Sequence, residues 1–161
     1  MVDTWTAALE ATPLAQALRS SVWAYPLVNA GHLLGVALLV GAVVPLDLRL
    51  LGLWPTIPLA PLWRILTRFA AAGLGLAVVC GALLFICRAT AYAGAGLFLS
   101  KMVVVAVGAV NALALQTGFA GGRGPAWWET ARPPIWTRAA AGLSLTAWLT
   151  ALVLGRLVGY F

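Results

Sequence analysis

Four long stretches of this 161-residue chain contain no charged residue. They hold 27, 19, 21 and 17 residues and are bounded by Arg19 and Asp47, by Arg68 and Arg88, by Lys101 and Arg123, and by Arg138 and Arg156. A helix that crosses a bilayer needs about 20 mostly apolar residues, and a basic residue near a helix end can extend to the headgroups. Because a backbone in lipid must satisfy its own hydrogen bonds, the stretches predict spanning helices at about 23–46, 66–87, 97–118 and 139–158.

The composition agrees with this reading. Apolar residues make up 63% of the chain and charged residues 9%, whereas a soluble domain is about half apolar and about a quarter charged. These values exclude a soluble enzyme, a disordered tail and a secreted disulfide scaffold. The ten basic residues punctuate the apolar stretches, so they indicate topology and lipid headgroups rather than nucleic acid. We therefore predict an all-α, four-helix transmembrane bundle in residues 23–161.

Residues 1–22 differ from the rest and are predicted to form a short amphipathic segment at the membrane interface. Asp3 and Glu10 make the segment acidic, which is not typical of a signal peptide. Thr12 followed by Pro13 is the pattern of a helix N-cap with proline at the first helical position. We expect one or two short helices within residues 3–21.

The basic residues also predict an orientation. Four spans place both termini on one side, and six arginines lie on the other side: Arg49, Arg64, Arg68, Arg123, Arg132 and Arg138. The positive-inside rule then predicts termini outside and the two links in the cytoplasm. The tryptophans of these links are expected at the membrane boundary: Trp54, Trp63, Trp127, Trp128 and Trp136.

Polar residues at membrane depth are costly, and they mark candidate sites. The single histidine, His32, follows Asn29 by one helical turn, and Lys101, Arg88 and Tyr25 are predicted near the same membrane face. An imidazole can ligate haem iron or hydrogen-bond a quinone, and Lys or Arg can pair with an anion. These five residues form a candidate cofactor site for haem b, a quinone or an anion. The alternative is a structural histidine bonded to Asn29 or to a backbone carbonyl, with Lys101 and Arg88 reaching the headgroups.

Haem would make His32 the metal ligand, and a low-spin haem b in a helix bundle usually takes two histidines. The chain has one. A second ligand would have to come from Met102, a cysteine or another subunit. The two cysteines, Cys80 and Cys87, are separated by about 10 Å along a helix, which is too far for a disulfide with each other.

The remaining candidates are structural. Asp47 is predicted to form an ion pair with Arg68 or Arg64, which fixes the first link. Gly31, Gly35 and Gly108 allow close approach of helices, within the bundle or between copies of the chain, and Asn111 is expected to link helices. Thr146 and Thr150 form a polar stripe whose hydroxyls are expected to bond carbonyls of their own helix.

Several strings resemble a bacterial four-helix inner-membrane family of unassigned function. They are Tyr25-Pro26-Leu27, His32-Leu33-Leu34-Gly35, Leu46-Asp47-Leu48-Arg49-Leu50-Leu51-Gly52, Gly81-Ala82-Leu83-Leu84-Phe85, Leu99-Ser100-Lys101 and Asn111-Ala112-Leu113. At longer range the chain is similar to the membrane domains of copper-resistance D proteins and of small b-type cytochromes. The resemblance implies a four-helix bundle in the bacterial inner (cytoplasmic) membrane, with functional interest at His32 and Lys101. In that membrane, the orientation predicted from the basic residues makes both termini periplasmic. The family often has a histidine near the position of Gln116, so bis-histidine haem ligation does not carry over to this chain.

Three functional classes stay open. The first is a ligand-binding protein that holds haem b or a quinone near His32, which as an electron carrier would be redox-active. The second is a structural accessory subunit of a larger membrane complex, with homo-oligomers allowed by its glycine-rich faces. The third is a small transporter, which would need polar groups across the full membrane depth. We expect an accessory or ligand-binding protein rather than an enzyme.

Overall fold

The protein is described here from a computed structural model that covers residues 2–119 and 133–160. Seven helices follow one another in these residues: α1 (Val2–Glu10), α2 (Pro13–Ser20), α3 (Ala24–Leu51), α4 (Leu59–Cys87), α5 (Ala89–Gly94), α6 (Gly96–Phe119) and α7 (Ile135–Leu157). Helices α3, α4, α6 and α7 are long and apolar enough to cross a membrane. The prediction of an all-α four-helix bundle is confirmed, and these lengths and compositions are those of a multi-pass membrane protein.

Helices α3 and α4 are longer than the uncharged stretches that predict them, and their ends explain the difference. Helix α3 continues to Leu51 and ends at Gly52, whose φ of 109° is a left-handed conformation that suits glycine. Helix α4 begins at Leu59, directly after Pro58, and includes Pro61 in its first turn. Proline is tolerated there because the first N–H groups of a helix have no partner within the helix.

Helix α3 lies at the centre of the arrangement. It packs along α4 on one side and along α7 on another, and α6 packs against α7. Among the described residues, no Cα atom of α4 lies within 8 Å of a Cα atom of α6. The backbones of α4 and α6 are therefore apart, and side chains close the bundle between them.

Two clusters of buried side chains form the core, and each draws on all four long helices. One lies near the α3–α4 link, at what we call the link end of the bundle: Leu46, Leu50, Leu59, Trp63, Leu115 and Ala141. The other is in the middle, where Leu39, Val43 and Trp148 pack with Ala70, Leu74 and Val105. Trp63, predicted at the membrane boundary, is instead a core residue, whereas Trp54 is exposed.

The closest approach of two helices is the crossing of α3 and α4 at Gly35 and Gly73. A Cβ atom placed on Gly35 would lie 2.5 Å from the nitrogen of Ala77 and 2.8 Å from the oxygen of Gly73. A Cβ atom on Gly73 would lie 2.6 Å from the nitrogen of Leu39 and 2.7 Å from the oxygen of Gly35. Both contacts are backbone to backbone, so only glycine fits at this crossing.

The short helices α1, α2 and α5 cover the opposite end, which we call the capped end. Thr12 caps α2, because its hydroxyl accepts the N–H of Ala15 and Pro13 opens the helix, as predicted. The guanidinium of Arg19 donates to the carbonyl oxygens of Cys87 and Glu10, at 3.1 and 2.7 Å. The first bond fastens the amino-terminal segment to the end of α4, and the second joins α2 to the end of α1.

Part of the second predicted link lies outside the described residues. That part contains Arg123, Trp127, Trp128 and Arg132, which bear on the predicted orientation and on the aromatic boundary. Trp136 and Arg138 are described, and both are exposed in the first turn of α7.

Candidate functional site

His32 lies on α3 toward the capped end and faces α4. Its Nδ1 is 2.8 Å from the carbonyl oxygen of Ala77, and a Cβ atom on Gly81 would lie 3.1 Å from its Cε1. The imidazole is half-buried, and its Nε2 has no hydrogen bond among the described residues. One ring nitrogen is therefore held by the fold, and the other is available to a partner.

Lys101 lies on α6 and makes different contacts. Its ammonium group is 5.5 Å from the centroid of the Phe98 ring, within the range of a cation–π interaction. Its aliphatic chain passes α7, where a Cβ atom on Gly155 would lie 3.6 Å from its Cδ. Lys101 is half-buried, and these contacts are with residues of α6 and α7 rather than of α3.

The other three predicted cofactor residues are placed separately. Asn29 is exposed, and Tyr25 is half-buried near the start of α3. Arg88 is exposed at the junction of α4 and α5. No hydrogen bond or ring contact in the described residues joins any two of the five, and Arg88 is near enough to Tyr25 to act on it electrostatically.

An aromatic cluster occupies the capped end instead. Phe85 of α4 stacks with Phe98 of α6 at a centroid distance of 5.5 Å, with Tyr92 of α5 at 6.3 Å and with Trp5 of α1 at 6.4 Å. The cluster bridges α4 and α6 where their backbones do not meet. Sequence reasoning missed it because its four members come from four helices, and only the apolar faces around Phe85 and Phe98 hinted at it.

At the link end, Asp47 is 3% exposed and its carboxyl group is hydrogen-bonded to the Ser144 side chain of α7. Its Oδ2 atom has no hydrogen-bond partner among the residues that the structure describes. Arg64 and Arg68 are exposed on α4, and neither is among the groups that act on this carboxyl. The predicted ion pair is not formed in the structure, because Asp47 points between α3 and α7 and the arginines point outward.

Arg49, two residues after Asp47, has a role that sequence reasoning did not assign. It is 2% exposed, and it donates to the carbonyl oxygens of Ile57 and Pro55 at 2.8 and 3.2 Å. These bonds hold the α3–α4 link against the end of α3. Residues that are two positions apart in the sequence point to different sides of a helix. The side chains of Asp47 and Arg49 therefore diverge.

The predicted packing residues make helix contacts inside the bundle. A Cβ atom on Gly31 would lie 2.9 Å from Cys80 Sγ, and one on Gly108 would lie 3.0 Å from the Trp148 ring. Asn111 donates from its side-chain amide to the carbonyl oxygen of Ala140, at 3.0 Å, and so joins α6 to α7. These positions link helices of one chain.

Outside the spans, Glu10 joins α1 to α5. Its Oε1 accepts the backbone N–H of Thr90 at 2.8 Å. This bond, aided by Arg19 and Arg88, holds the pKa of the Glu10 carboxyl below its usual range. The carboxylate form is therefore part of the contact that keeps the cap in place.

Within residues 2–119 and 133–160, no three His, Cys, Asp or Glu side chains form a group that could hold a metal ion. Cys80 and Cys87 are buried free thiols. A comparison with protein-family models, curated proteins and solved structures finds no match to this chain.

Proposed function

We propose that this chain is a non-enzymatic membrane protein that binds one lipid-soluble ligand at Nε2 of His32. The observation that carries the proposal is the short contact between His32 Nδ1 and the carbonyl oxygen of Ala77. A carbonyl oxygen can only accept, so Nδ1 carries the hydrogen. In a neutral imidazole the other nitrogen then has a free lone pair. Histidines that bind a metal are commonly oriented in this way, by a carbonyl oxygen that accepts the N–H of the opposite ring nitrogen.

The lone pair narrows the ligand class. Nε2 can accept a hydrogen bond from a hydroxyl group or coordinate a metal, but a neutral ring cannot donate from Nε2 to a quinone carbonyl. A quinol, which is the reduced, hydroxyl-bearing form of a quinone, meets this requirement. His32 is half-buried, and Asn29, one turn away on the same face of α3, is exposed, so a ligand dissolved in the bilayer can approach this face of α3.

Haem b fits the same nitrogen less completely. His32 would supply one axial ligand, and the described residues bring no second histidine, methionine or cysteine ligand to Nε2. The bound iron would supply one-electron chemistry, and the chain would supply the orientation of one imidazole through Ala77. An anion fits less well, because Lys101 contacts Phe98 and Gly155 rather than His32.

The test measures the ligand directly. Detergent-purified protein would be extracted with organic solvent for quinol and quinone, and its visible spectrum would be recorded oxidised and then reduced. We expect co-purifying quinol in the parent protein, its loss in His32→Ala, and its retention in the control Asn29→Ala, which removes an exposed polar group one turn away. Equal ligand content in both variants would contradict a site at His32. No ligand and no haem spectrum in the parent would favour the structural accessory role, in which the His32–Ala77 bond serves packing alone.

The family and the orientation are also proposals. We propose membership of the bacterial inner-membrane family that the chain resembles, with both termini periplasmic, supported by the arginines at the link end. Fusion of alkaline phosphatase or green fluorescent protein to the carboxyl terminus tests the orientation. Active phosphatase with a dark fluorescent fusion is expected, and the reverse would invert the topology.

A further inference from the structure

Asp47 is the most deeply buried carboxyl group among the described residues, and its surroundings are apolar. It lies on α3 one turn before the end of the helix, between Leu46 and Leu50 in sequence, and both neighbours belong to the core cluster of the link end. Its side chain is 3% exposed. A carboxylate in such a place is costly unless a cation or several hydrogen bonds compensate its charge.

Within residues 2–119 and 133–160, no cation compensates the charge of this carboxyl group. The polar group beside the carboxyl is the Ser144 hydroxyl of α7. On α3 itself, the Arg49 guanidinium is turned toward the carbonyls of the link. On α4, Arg64 and Arg68 are exposed, and on α7 the nearest charged residue, Arg138, is exposed as well. Helix α6 has no charged residue in its described part beyond Lys101, which lies toward the capped end.

A second buried polar atom lies one helical turn further along the bundle. Among the described residues, Asp47 Oδ2 has no hydrogen-bond partner, and neither does the indole Nε1 of Trp148, a residue that is 4% exposed. Ser144 and Trp148 are four residues apart and share one face of α7. Trp148 packs on Val43, which is one turn from Asp47 on α3. The unpartnered Oδ2 atom and the unpartnered indole N–H thus belong to neighbouring turns of the bundle, although the indole ring itself packs on Gly108 of α6.

We propose that Asp47 is a proton-binding site of the bundle, with Ser144 hydrogen-bonded to one carboxyl oxygen and the bound proton on Oδ2. A hydronium ion at the link end transfers one proton to the carboxylate: an O–H bond forms on Oδ2, an O–H bond of hydronium breaks, and water is released. A metal cation does not suit this site, because Ca²⁺ or Mg²⁺ requires six or more oxygen ligands and the core clusters next to Asp47 in the described residues consist of Leu, Val, Ala and Trp. The site is independent of the ligand proposed at His32, which lies toward the capped end.

The consequence is a coupling between proton binding and the α3–α7 contact. Loss of the proton leaves a negative charge between two packed helices, and the charge is relieved only by water that enters between them. The neutral acid therefore favours the closed arrangement, and the carboxylate favours separation of α3 and α7 at the link end. A partner or a pH change that acts on the link would therefore alter the packing of α3 against α7 at the link end.

Infrared spectroscopy tests the proposal on the intact protein in lipid. A protonated carboxyl has a carbonyl stretch that is resolved from the bands of a carboxylate, and the chain has four acidic residues in all. At neutral pH we expect one carboxylic-acid band in the parent protein. It should be lost in Asp47→Asn, retained in the control Glu10→Gln, and shifted in Ser144→Ala, which removes one hydrogen bond to the acid.

The variant Asp47→Asn is expected to fold, because the amide resembles the neutral acid in shape and carries no charge. If Asp47→Asn does not fold, Ser144→Ala tests the proposal instead, because this variant keeps the Asp47 carboxyl group and should shift its carbonyl band. Absence of a carboxylic-acid band from the folded parent at neutral pH would overturn the proposal. A band that survives in folded Asp47→Asn, or that is unchanged in Ser144→Ala when Asp47→Asn does not fold, would overturn it equally.

Discussion

Substitution of Gly73 by alanine should destabilise the bundle by forcing α3 and α4 apart. The new Cβ atom would lie 2.6 Å from the Leu39 nitrogen and 2.7 Å from the Gly35 oxygen, whereas ordinary contacts begin at 3.4 Å. The backbones must separate by about 0.8 Å at this point, the difference between 3.4 and 2.6 Å. Such overpacking costs about 3 kcal/mol at the upper end of the usual range.

Alanine also gains helix propensity over glycine, about 1 kcal/mol in a helix interior. The expected net loss for Gly73→Ala is therefore about 2 kcal/mol of unfolding free energy. Gly75 is the matched control, because it lies two residues away on α4 and a Cβ atom there meets nothing within 4 Å. Gly75→Ala should be neutral or more stable by up to about 1 kcal/mol, so the two variants should differ by about 2 to 3 kcal/mol.

The measurement is unfolding of detergent-solubilised protein by added SDS, followed by tryptophan fluorescence, since Trp63 and Trp148 are buried in the two core clusters. The reciprocal variant Gly35→Ala should lose a similar amount. The double variant should lose less than the sum, because one separation of the helices accommodates both methyl groups. If Gly73→Ala unfolds at the same SDS fraction as Gly75→Ala, the backbone contact does not control the approach of these helices.

Two further outcomes follow from polar contacts. The Glu10 pKa is lowered in the folded chain, so the contact with Thr90 stabilises the cap at pH values above the unfolded carboxyl pKa of about 4.3 and is lost as the pH falls through the lower folded pKa. The NMR resonance of the Thr90 amide should therefore titrate with a midpoint below the usual carboxyl range. A midpoint within or above that range would contradict this contact. Arg49→Ala should lower the free energy of unfolding in SDS by about 3 kcal/mol, because the charged hydrogen bonds to the carbonyls of Ile57 and Pro55 are lost. The control Arg64→Ala, at an exposed position, should lower it by less than about 0.5 kcal/mol. Equal losses in the two variants would contradict this and would support an ion pair between Arg64 and Asp47.

The four long helices could be predicted because length and apolarity in lipid leave no other regular structure for them. The contact between His32 and a backbone carbonyl was one of two alternatives that the pattern allowed. The partner of Asp47 could not be predicted, because Ser144 meets it only through the register of α3 against α7, and local spacing carries no information on that register. Sequence spacing favoured the nearby Arg64 and Arg68 as partners of Asp47. Solvent and lipid headgroups, however, stabilise the charges of these arginines at lower cost than a buried ion pair does.

The same limit applies to the glycine pattern. Gly31 and Gly35 could be recognised as a face for close approach, but the facing Gly73 is one of several glycines in the next span. Which glycine meets which depends on the angle and offset of two helices. The aromatic cluster at the capped end has this origin too, since Trp5 and Phe98 come from distant parts of the chain.

The cap imposes an order on biogenesis. Arg19 and Glu10 precede the spans in the chain, but their partners, the Cys87 carbonyl and the Thr90 amide, belong to the end of α4 and to α5. The contacts of the amino-terminal segment with α4 and α5 therefore form only after the α3–α4 hairpin has been made and inserted. If that hairpin inserts slowly, the amino-terminal helices stay accessible to proteases and chaperones for longer. A formed cap therefore requires that the first half of the protein, from α1 to α5, has already been assembled.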